Sequence, residues 1–392
     1  MNSFGLRHTL RREWRRIVGR PFYVVIMLAL PLFATLFMSS VFDKGRINDI
    51  PIGIVDEDFT STTRTITRAI DATPALTVAH HYTSPTEALS AVRAKDIYGY
   101  VVFPAHFEAD LVANRAPTIE YVYHYALMSV GGVVEATLAT LLAGVTIRPV
   151  EVTASALGLS PQATSALVMP IQADSLALFN PTLNYSAYLS LPLLMVILQI
   201  VVLLTTIYVV GTEIKSGTAI RWLIGADGNI FKAVVGKLTP YTIAFSVATI
   251  GSVAWLYGGM RGLPYGDGSL WLLSLWGVGL VVSSQALGLF LYGLFPALGF
   301  IISVGSMIGS LGATLCGVTF PIGAIAPVFQ SVATLLPIRH YTLLAQNILY
   351  GNYGIEWAWE SIVAMLAVCA LPITILPRLR RAIISRRYEK ID

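Results

Sequence analysis

Hydrophobic positions in this chain gather into long unbroken runs, and six of them are about twenty residues long: Pro21–Phe42, Tyr188–Val210, Pro240–Gly259, Leu270–Tyr292, Ala297–Val318 and Trp357–Pro377. A helix rising ~1.5 Å per residue needs roughly that length to cross a hydrocarbon layer. The pattern therefore predicts a polytopic α-helical membrane protein with six transmembrane helices, TM1 (21–42), TM2 (188–210), TM3 (240–259), TM4 (270–292), TM5 (297–318) and TM6 (357–377). Between TM1 and TM2 the pattern changes. Residues 43–187 hold short β-rich runs, Pro51–Val55, Leu76–Tyr82, Ile97–Phe103 and Thr118–His124. They alternate with helical stretches from Thr60 through Asp71, from Ser84 to about Lys95, over Ala105–Ala113 and over Ser129–Val145. That alternation predicts an inserted extracytoplasmic α/β domain. Residues 146–180 are punctuated by prolines, and Ala166–Leu178 reads as a returning strand. Ser84-Pro-Thr-Glu87 is a capping box with Pro at the first helical position.

Composition supports the membrane reading, with 55% hydrophobic and only 12% charged residues. The first run is too long for a secretory h-region of roughly 7–15 residues and lacks a cleavage site, so it reads as a retained anchor. Before it, Leu6, Leu10, Trp14 and Ile17 recur at helical spacing among Arg7, Arg11, Arg12, Arg15 and Arg16. Residues 1–20 are therefore expected to form a cytoplasmic amphipathic helix in the interface plane. The two cysteines, Cys316 and Cys369, fall inside predicted spans as apolar fillers.

Charge sets the expected orientation. Sixteen of the 26 Lys and Arg residues flank TM1, the TM2–TM3 connection and the end of TM6, whereas residues 43–187 carry 8 basic and 14 acidic residues. Basic flanks stay inside, so both termini, the 211–239 segment and the basic 378–392 tail are expected to be cytoplasmic. The positive face is suited to anionic membrane lipid, and no aromatic-interleaved basic groove points to nucleic acid.

Candidate chemistry is sparse. Asp56-Glu57-Asp58 reads as a helix-capping turn rather than a cation site, and His80-His81, adjacent in a strand, point to opposite faces. The predicted spans contain no Asp, Lys, Arg or His, and Glu360 lies near the end of TM6. Such spans lack the charged relay of an ion-coupled carrier. Their neutral polar groups, Gln199 and Tyr208 in TM2 and Ser303, Ser306 and Ser310 in TM5, are either substrate-path residues or, with Gly305, Gly309 and Gly312, helix-packing positions. Residues 319–356, broken by Pro321, Pro327 and Pro337, read as outer re-entrant helices and a loop. No Gly-x4-Gly-Lys-Ser/Thr loop occurs, so ATP binding by this chain is not expected.

These features together resemble the permease subunit of ABC-2 type transporters, in the bacterial subgroup with a large domain after the first span. The resemblance covers nearly the whole chain. It is carried by Ile52-Gly-Ile-Val-Asp-Glu-Asp58, Phe179-Asn-Pro181, Glu213-Ile-Lys-Ser-Gly-Thr218, Gly236-Lys-Leu-Thr-Pro240 and Leu336-Pro-Ile-Arg-His-Tyr341, in that order relative to the spans. It implies a bacterial inner-membrane exporter, non-catalytic in itself, with ATP and Mg held by a separate cytoplasmic ATPase subunit; the neutral spans with their serines, glycines and aromatics suit an amphipathic or lipophilic cargo such as a drug or lipid. A second permease chain, identical or paralogous, is a further implied partner, and the outer domain would be either a docking surface for a periplasmic adaptor or a gate over the exit. The ATPase-coupling elbow would be Glu213, Lys215, Gly217 and Thr218 as the receiving surface, with Arg221 beside it and Ile214, Trp222 and Leu223 seating it against the membrane. The alternative is a membrane-anchored receptor or assembly factor whose outer domain binds a ligand.

Overall fold

The computed structural model describes residues 5–43, 45, 47–113, 115, 117–156, 184–259, 269–351 and 355–386. The Phe179-Asn-Pro181 motif and the strand expected within 166–178 lie outside them. Two compact units result, one from Met1–Gly45 with Leu178–Asp392 and one from Arg46–Ala177.

The first unit is a helical bundle. Helix α1 (Leu6–Val18) precedes α2, which runs Pro21–Val41 through a π-turn at Val25–Ala29. After the second unit come α7 (Leu191–Lys215), the short α8 (Ala219–Gly225), α9 (Ile230–Gly259), α10 (Ser269–Leu294), α11 (Leu298–Leu315), α12 (Pro327–Thr334), α13 (Pro337–Gln346) and α14 (Ile355–Ser385). Six helices, α2, α7, α9, α10, α11 and α14, are long and apolar enough to cross a membrane. Helix α7 is the most buried and packs on α2, α9, α10, α11 and α13, while α10 packs on α14.

Two boundaries differ from the apolar runs, for one reason: a helix does not stop where hydrophobicity does. Helix α7 continues past Val210 to include Glu213 and Lys215, and α9 begins ten residues before Pro240, so it includes Lys232 and Lys237. The membrane-length helices are thus not free of charge. Likewise the basic segment after Pro377 is not a tail at its start, because α14 runs through Pro372 and Pro377 to Ser385. The segment 319–356 contains two short helices, α12 and α13, and α13 is packed deep in the bundle through Ile338, His340, Tyr341, Leu344 and Ala345. His340 Nε2 donates to the Thr334 carbonyl at 2.8 Å. Burial pushes the His340 imidazole below the ordinary histidine range, the Thr334 carbonyl opposes this, and Arg339 adds to the lowering.

The second unit carries the four-stranded sheet β1 (Ile50–Asp56), β2 (Leu76–Tyr82), β3 (Gly99–Phe103) and β4 (Glu120–Tyr123) in the order β2-β1-β3-β4. β1 runs parallel to both β2 and β3, and β4 closes antiparallel on β3. The helices are α3 (Ser61–Asp71), α4 (Pro85–Ala94), α5 (Phe107–Val112) and α6 (Met128–Ala156). One sheet face buries Ile52, Ile54, Val101 and Phe103 against Ile66, Ile70, Val134 and Leu138; the other buries Val55, Tyr100 and Val102 against Ala88 and Val92. Two covered faces are what strands with near-continuous apolar runs require. The capping box forms with one change of partner: Ser84 accepts from the Glu87 amide, but the Glu87 carboxylate reaches back to the Thr83 amide and hydroxyl. Asp56 accepts from the amides of Asp58 and Phe59 and from the Thr63 hydroxyl, and Asp58 accepts from the Glu108 amide. The acidic tripeptide is a turn that opens α3.

In α11 the glycine and serine rows separate. Cβ atoms at Gly305 and Gly309 would lie 2.7 Å and 2.8 Å from Ile207 and Ile200 of α7, so that row sets the close approach. Ser303 and Ser310 are exposed on the opposite side, donating to carbonyls one turn back. Gly305→Ile with Gly309→Ile should therefore cost about 1–3 kcal/mol per site by overpacking, while Ser303→Ala and Ser310→Ala stay within about 0.5 kcal/mol; thermal unfolding in detergent separates the two cases. A second expectation concerns His340. Its depressed folded pKa makes stability fully present above the unfolded value of about 6.5 and lost as pH falls below it, so the unfolding temperature should decline on acidification through that point, and His340→Gln should flatten that decline.

Candidate functional site

The polar connection between α7 and α9 is short and mostly helical. Helix α7 ends at Lys215, Ser216 caps it, and Gly217 turns the chain with φ +65°, the left-handed conformation that glycine adopts without cost. Thr218 then donates its amide to the Glu213 carbonyl at 2.9 Å, and α8 follows directly. The elbow is held from inside by Trp222, whose indole donates to the Ala233 carbonyl at 3.1 Å, and by Ile214 and Leu223 in the same core cluster. These three residues were expected to seat the elbow against the membrane. They seat it against the protein instead.

Glu213 departs furthest from expectation. It was assigned to a receiving surface, yet its side chain is 0% exposed and lies at the centre of an ionic cluster. Arg12 reaches its carboxylate at 2.7 Å, Arg16 at 2.7 Å and Lys237 at 2.8 Å, while the Thr218 hydroxyl donates to the same group. Lys237, 1% exposed, also pairs with Glu13 at 2.7 Å, and the Tyr241 hydroxyl donates to Glu13 at 2.8 Å. Arg16 Nη2 donates to Thr212, and the Lys237 ammonium stands 5.6 Å from the Trp222 ring centre. Three cations and two carboxylates thus meet here: Glu13, Glu213 and Lys237 are enclosed, while Arg12 and Arg16 remain 32% and 19% exposed.

The cluster explains α1. Its buried residues are Thr9, Glu13 and Ile17, so this helix turns a polar stripe toward the bundle and leaves Leu6, Trp14 and Val18 exposed. Ile17, expected on the outward apolar face, is inside. Close approach is possible because position 236 is glycine: a Cβ there would lie 2.1 Å from the Thr9 hydroxyl oxygen. The Gly5 amide further donates to the Gly225 carbonyl at 2.9 Å, joining α1 to the end of α8. Sequence reasoning missed Arg12, Glu13, Arg16, Lys237 and Tyr241 as a set. The available signals were Glu13, the one acid among the arginines of α1, and Lys237, a turn before Pro240 in an otherwise apolar stretch.

On the outer side of the elbow, Lys215, Ser216, Gly217, Arg221 and Ile224 are exposed and Thr218 is half-buried. Arg380 of α14 donates to the Gly228 carbonyl just after α8. The substrate-path candidates are not brought together. Gln199 is buried with its amide unpaired among the described residues, Tyr208 lines a groove between α2 and α7, and Ser303, Ser306 and Ser310 lie along α11 with the first and last exposed. Among the described residues no group of three His, Cys, Asp or Glu is placed to hold a metal ion.

Six membrane-length helices with a clamped elbow among them define a polytopic, membrane-embedded protein. Residues 21–376 match the model of the ABC-2 family transporter proteins, and the chain belongs to that family. It is similar to proteins described as "Probable multidrug ABC transporter permease YbhR" in Escherichia coli K12 and O157:H7, each 26% identical over 206 residues covering 49% of this chain and 51% of the relative. The chain thus spans about half the length of the curated relatives it matches.

Removing one partner from a buried ion cluster leaves the others uncompensated, at a cost of about 3–5 kcal/mol. Glu213→Ala and Lys237→Ala should each lower thermal stability by that order, whereas Lys215→Ala and Arg221→Ala should change it by no more than about 0.5 kcal/mol; equal effects at all four sites would contradict the buried placement.

Proposed function

We propose that this chain is the permease subunit of an ATP-driven ABC exporter, with the elbow as the place where a separate cytoplasmic ATPase engages it. The observation that carries this reading is the division of the elbow into an exposed edge, Lys215 to Thr218 with Arg221 and Ile224, and an anchored interior, Glu213 with Trp222. A rigid edge that is braced from behind transmits a push; a loose loop absorbs it. Glu213 acts in this account as a transmitting residue: a displacement of α8 is felt through Thr218 and Glu213 by α1 and α9 at once.

The basic flanks support an orientation with the elbow, α1 and both termini in the cytoplasm and the α/β unit outside, where it docks a periplasmic adaptor or gates the exit. A bacterial inner membrane, a second permease chain, identical or paralogous, and ATP with Mg on the partner subunit complete the assembly. The cargo is amphipathic or lipophilic, a drug or lipid, in keeping with the apolar bundle and with relatives described as multidrug permeases.

Co-expression with its chromosomal neighbours tests the reading. The wild-type complex should co-purify and show ATPase activity that Lys215→Glu with Arg221→Glu abolishes, while the variant permease keeps its unfolding temperature. If no P-loop ATPase associates, the proposal fails.

A further inference from the structure

The Leu336-Pro-Ile-Arg-His-Tyr341 motif of α13 holds a cation that the fold leaves unpaired. Ile338 and Tyr341 lie in the bundle core, and His340 bonds the Thr334 carbonyl. Arg339 is half-buried and forms no hydrogen bond or ion pair among the described residues. Its guanidinium nonetheless has a fixed place. A Cβ at Gly317, just past the end of α11, would lie 3.0 Å from Arg339 Nη1 and 3.4 Å from Ile322, and Gly317 takes φ +89°, so a left-handed glycine makes the room in which the head of this side chain rests. The polar groups beside it are already engaged: the Tyr188 hydroxyl donates to the Val318 carbonyl and the Cys316 thiol to the Ala313 carbonyl. Burial pulls the Arg339 guanidinium below the ordinary arginine range, and the group that opposes this is the Cys316 thiol, not a carboxylate. A guanidinium has five N–H donors and no acceptor, and partial burial without a counter-charge is costly.

This place is at the end of the bundle opposite the elbow. Tyr188, which touches Val318, begins the 28-residue helical span that ends at Lys215, about 40 Å at the helical rise. The chain around Arg339 is apolar and turned outward: Phe320, just after Gly317, is 50% exposed, and Leu335, a turn before Arg339, is 59% exposed. Between them α12 exposes Val328 and Phe329 and buries only Ala333. A lone guanidinium among outward-facing apolar side chains is complementary to an oxyanion that carries a hydrocarbon tail.

We propose that Arg339, seated by Gly317, binds the phosphate of an anionic phospholipid in the leaflet remote from the elbow, with the acyl chains over Phe320 and Leu335. The guanidinium fork offers two parallel donors to the phosphate oxygens, which supply the missing counter-charge. Because Arg339 stands on α13 and its glycine at the end of α11, the bound lipid ties these two elements together, and the seating of α13 depends on the lipid beside it. The site stands independently of what the chain transports.

The test uses the full chain in nanodiscs holding equal amounts of phosphatidylglycerol and phosphatidylcholine. A photo-reactive p-benzoylphenylalanine in place of Leu335 records which molecule lies there, read by mass spectrometry of the cross-linked product. One basic residue near the surface should favour phosphatidylglycerol by about 5-fold. Arg339→Gln should abolish that preference, and Arg339→Lys, which keeps the charge but not the fork, should keep part of it. Gly317→Ala keeps the charge but displaces the guanidinium; it should lower the phosphatidylglycerol yield as well, which attraction by charge alone would not do. Where Gly317→Ala does not fold, the pair of Arg339 variants decides. Equal yields of the two lipids in the wild-type background, or a preference that survives Arg339→Gln, would overturn the proposal. Loss of the preference on adding inorganic phosphate, against chloride at the same ionic strength, would also overturn it, because the site would then take a free anion. So would a cross-link formed mainly to a second copy of this chain, because protein and not lipid would then cover Leu335.

Discussion

Charges enclosed inside a protein are stable only in mutual company, and this constraint organises the bundle. Glu213 on α7, Lys237 on α9 and Glu13 on α1 come from three parts of the chain separated by more than two hundred residues at the extreme, yet each is within 2.8 Å of another. Desolvating any one alone would cost several kcal/mol, whereas together with Arg12 and Arg16 they are compensated and hydrogen-bonded. The geometry of the elbow, the inward polar face of α1 and the glycine at position 236 all follow from the need to bring these groups together. Specificity is the gain: hydrophobic contacts between helices tolerate sliding, whereas this set of pairs is satisfied in one arrangement.

Much of the fold was legible because hydrophobic length and period are local properties. The six long apolar helices, the alternating strands and helices of the insert, the capping of α3 by Thr60 and of α4 by Ser84, and the turn made by Asp56 to Asp58 were each readable from a few neighbouring residues. Helix ends were less legible. Hydropathy marks the membrane-compatible part of a helix, not where its hydrogen bonding stops, so α7 and α9 reach beyond their apolar runs and bring Glu213 and Lys237 into helical register.

The site was half legible. The polar elbow, its glycine turn and its exposed Lys215 and Arg221 could be located from the sequence, but the inward direction of Glu213 could not, because it depends on arginines about two hundred residues away. Reading α1 by its apolar residues located Leu6 and Trp14 on the surface it turns outward and missed that the stripe it buries carries Thr9 and Glu13. In a membrane protein that inversion is physically natural: lipid accepts Leu6, Trp14 and Val18, so the charged side is the one that needs protein around it.

The point where the insert leaves the bundle has a separate meaning. The Tyr185 amide donates to the Gly45 carbonyl at 2.6 Å, so the chain departs and returns through neighbouring residues. An insertion with adjoining ends imposes no stretch on its host. The second unit is thereby exchangeable: evolution can enlarge, replace or recruit it for new company while the helices that surround the ionic cluster keep their sequence logic untouched.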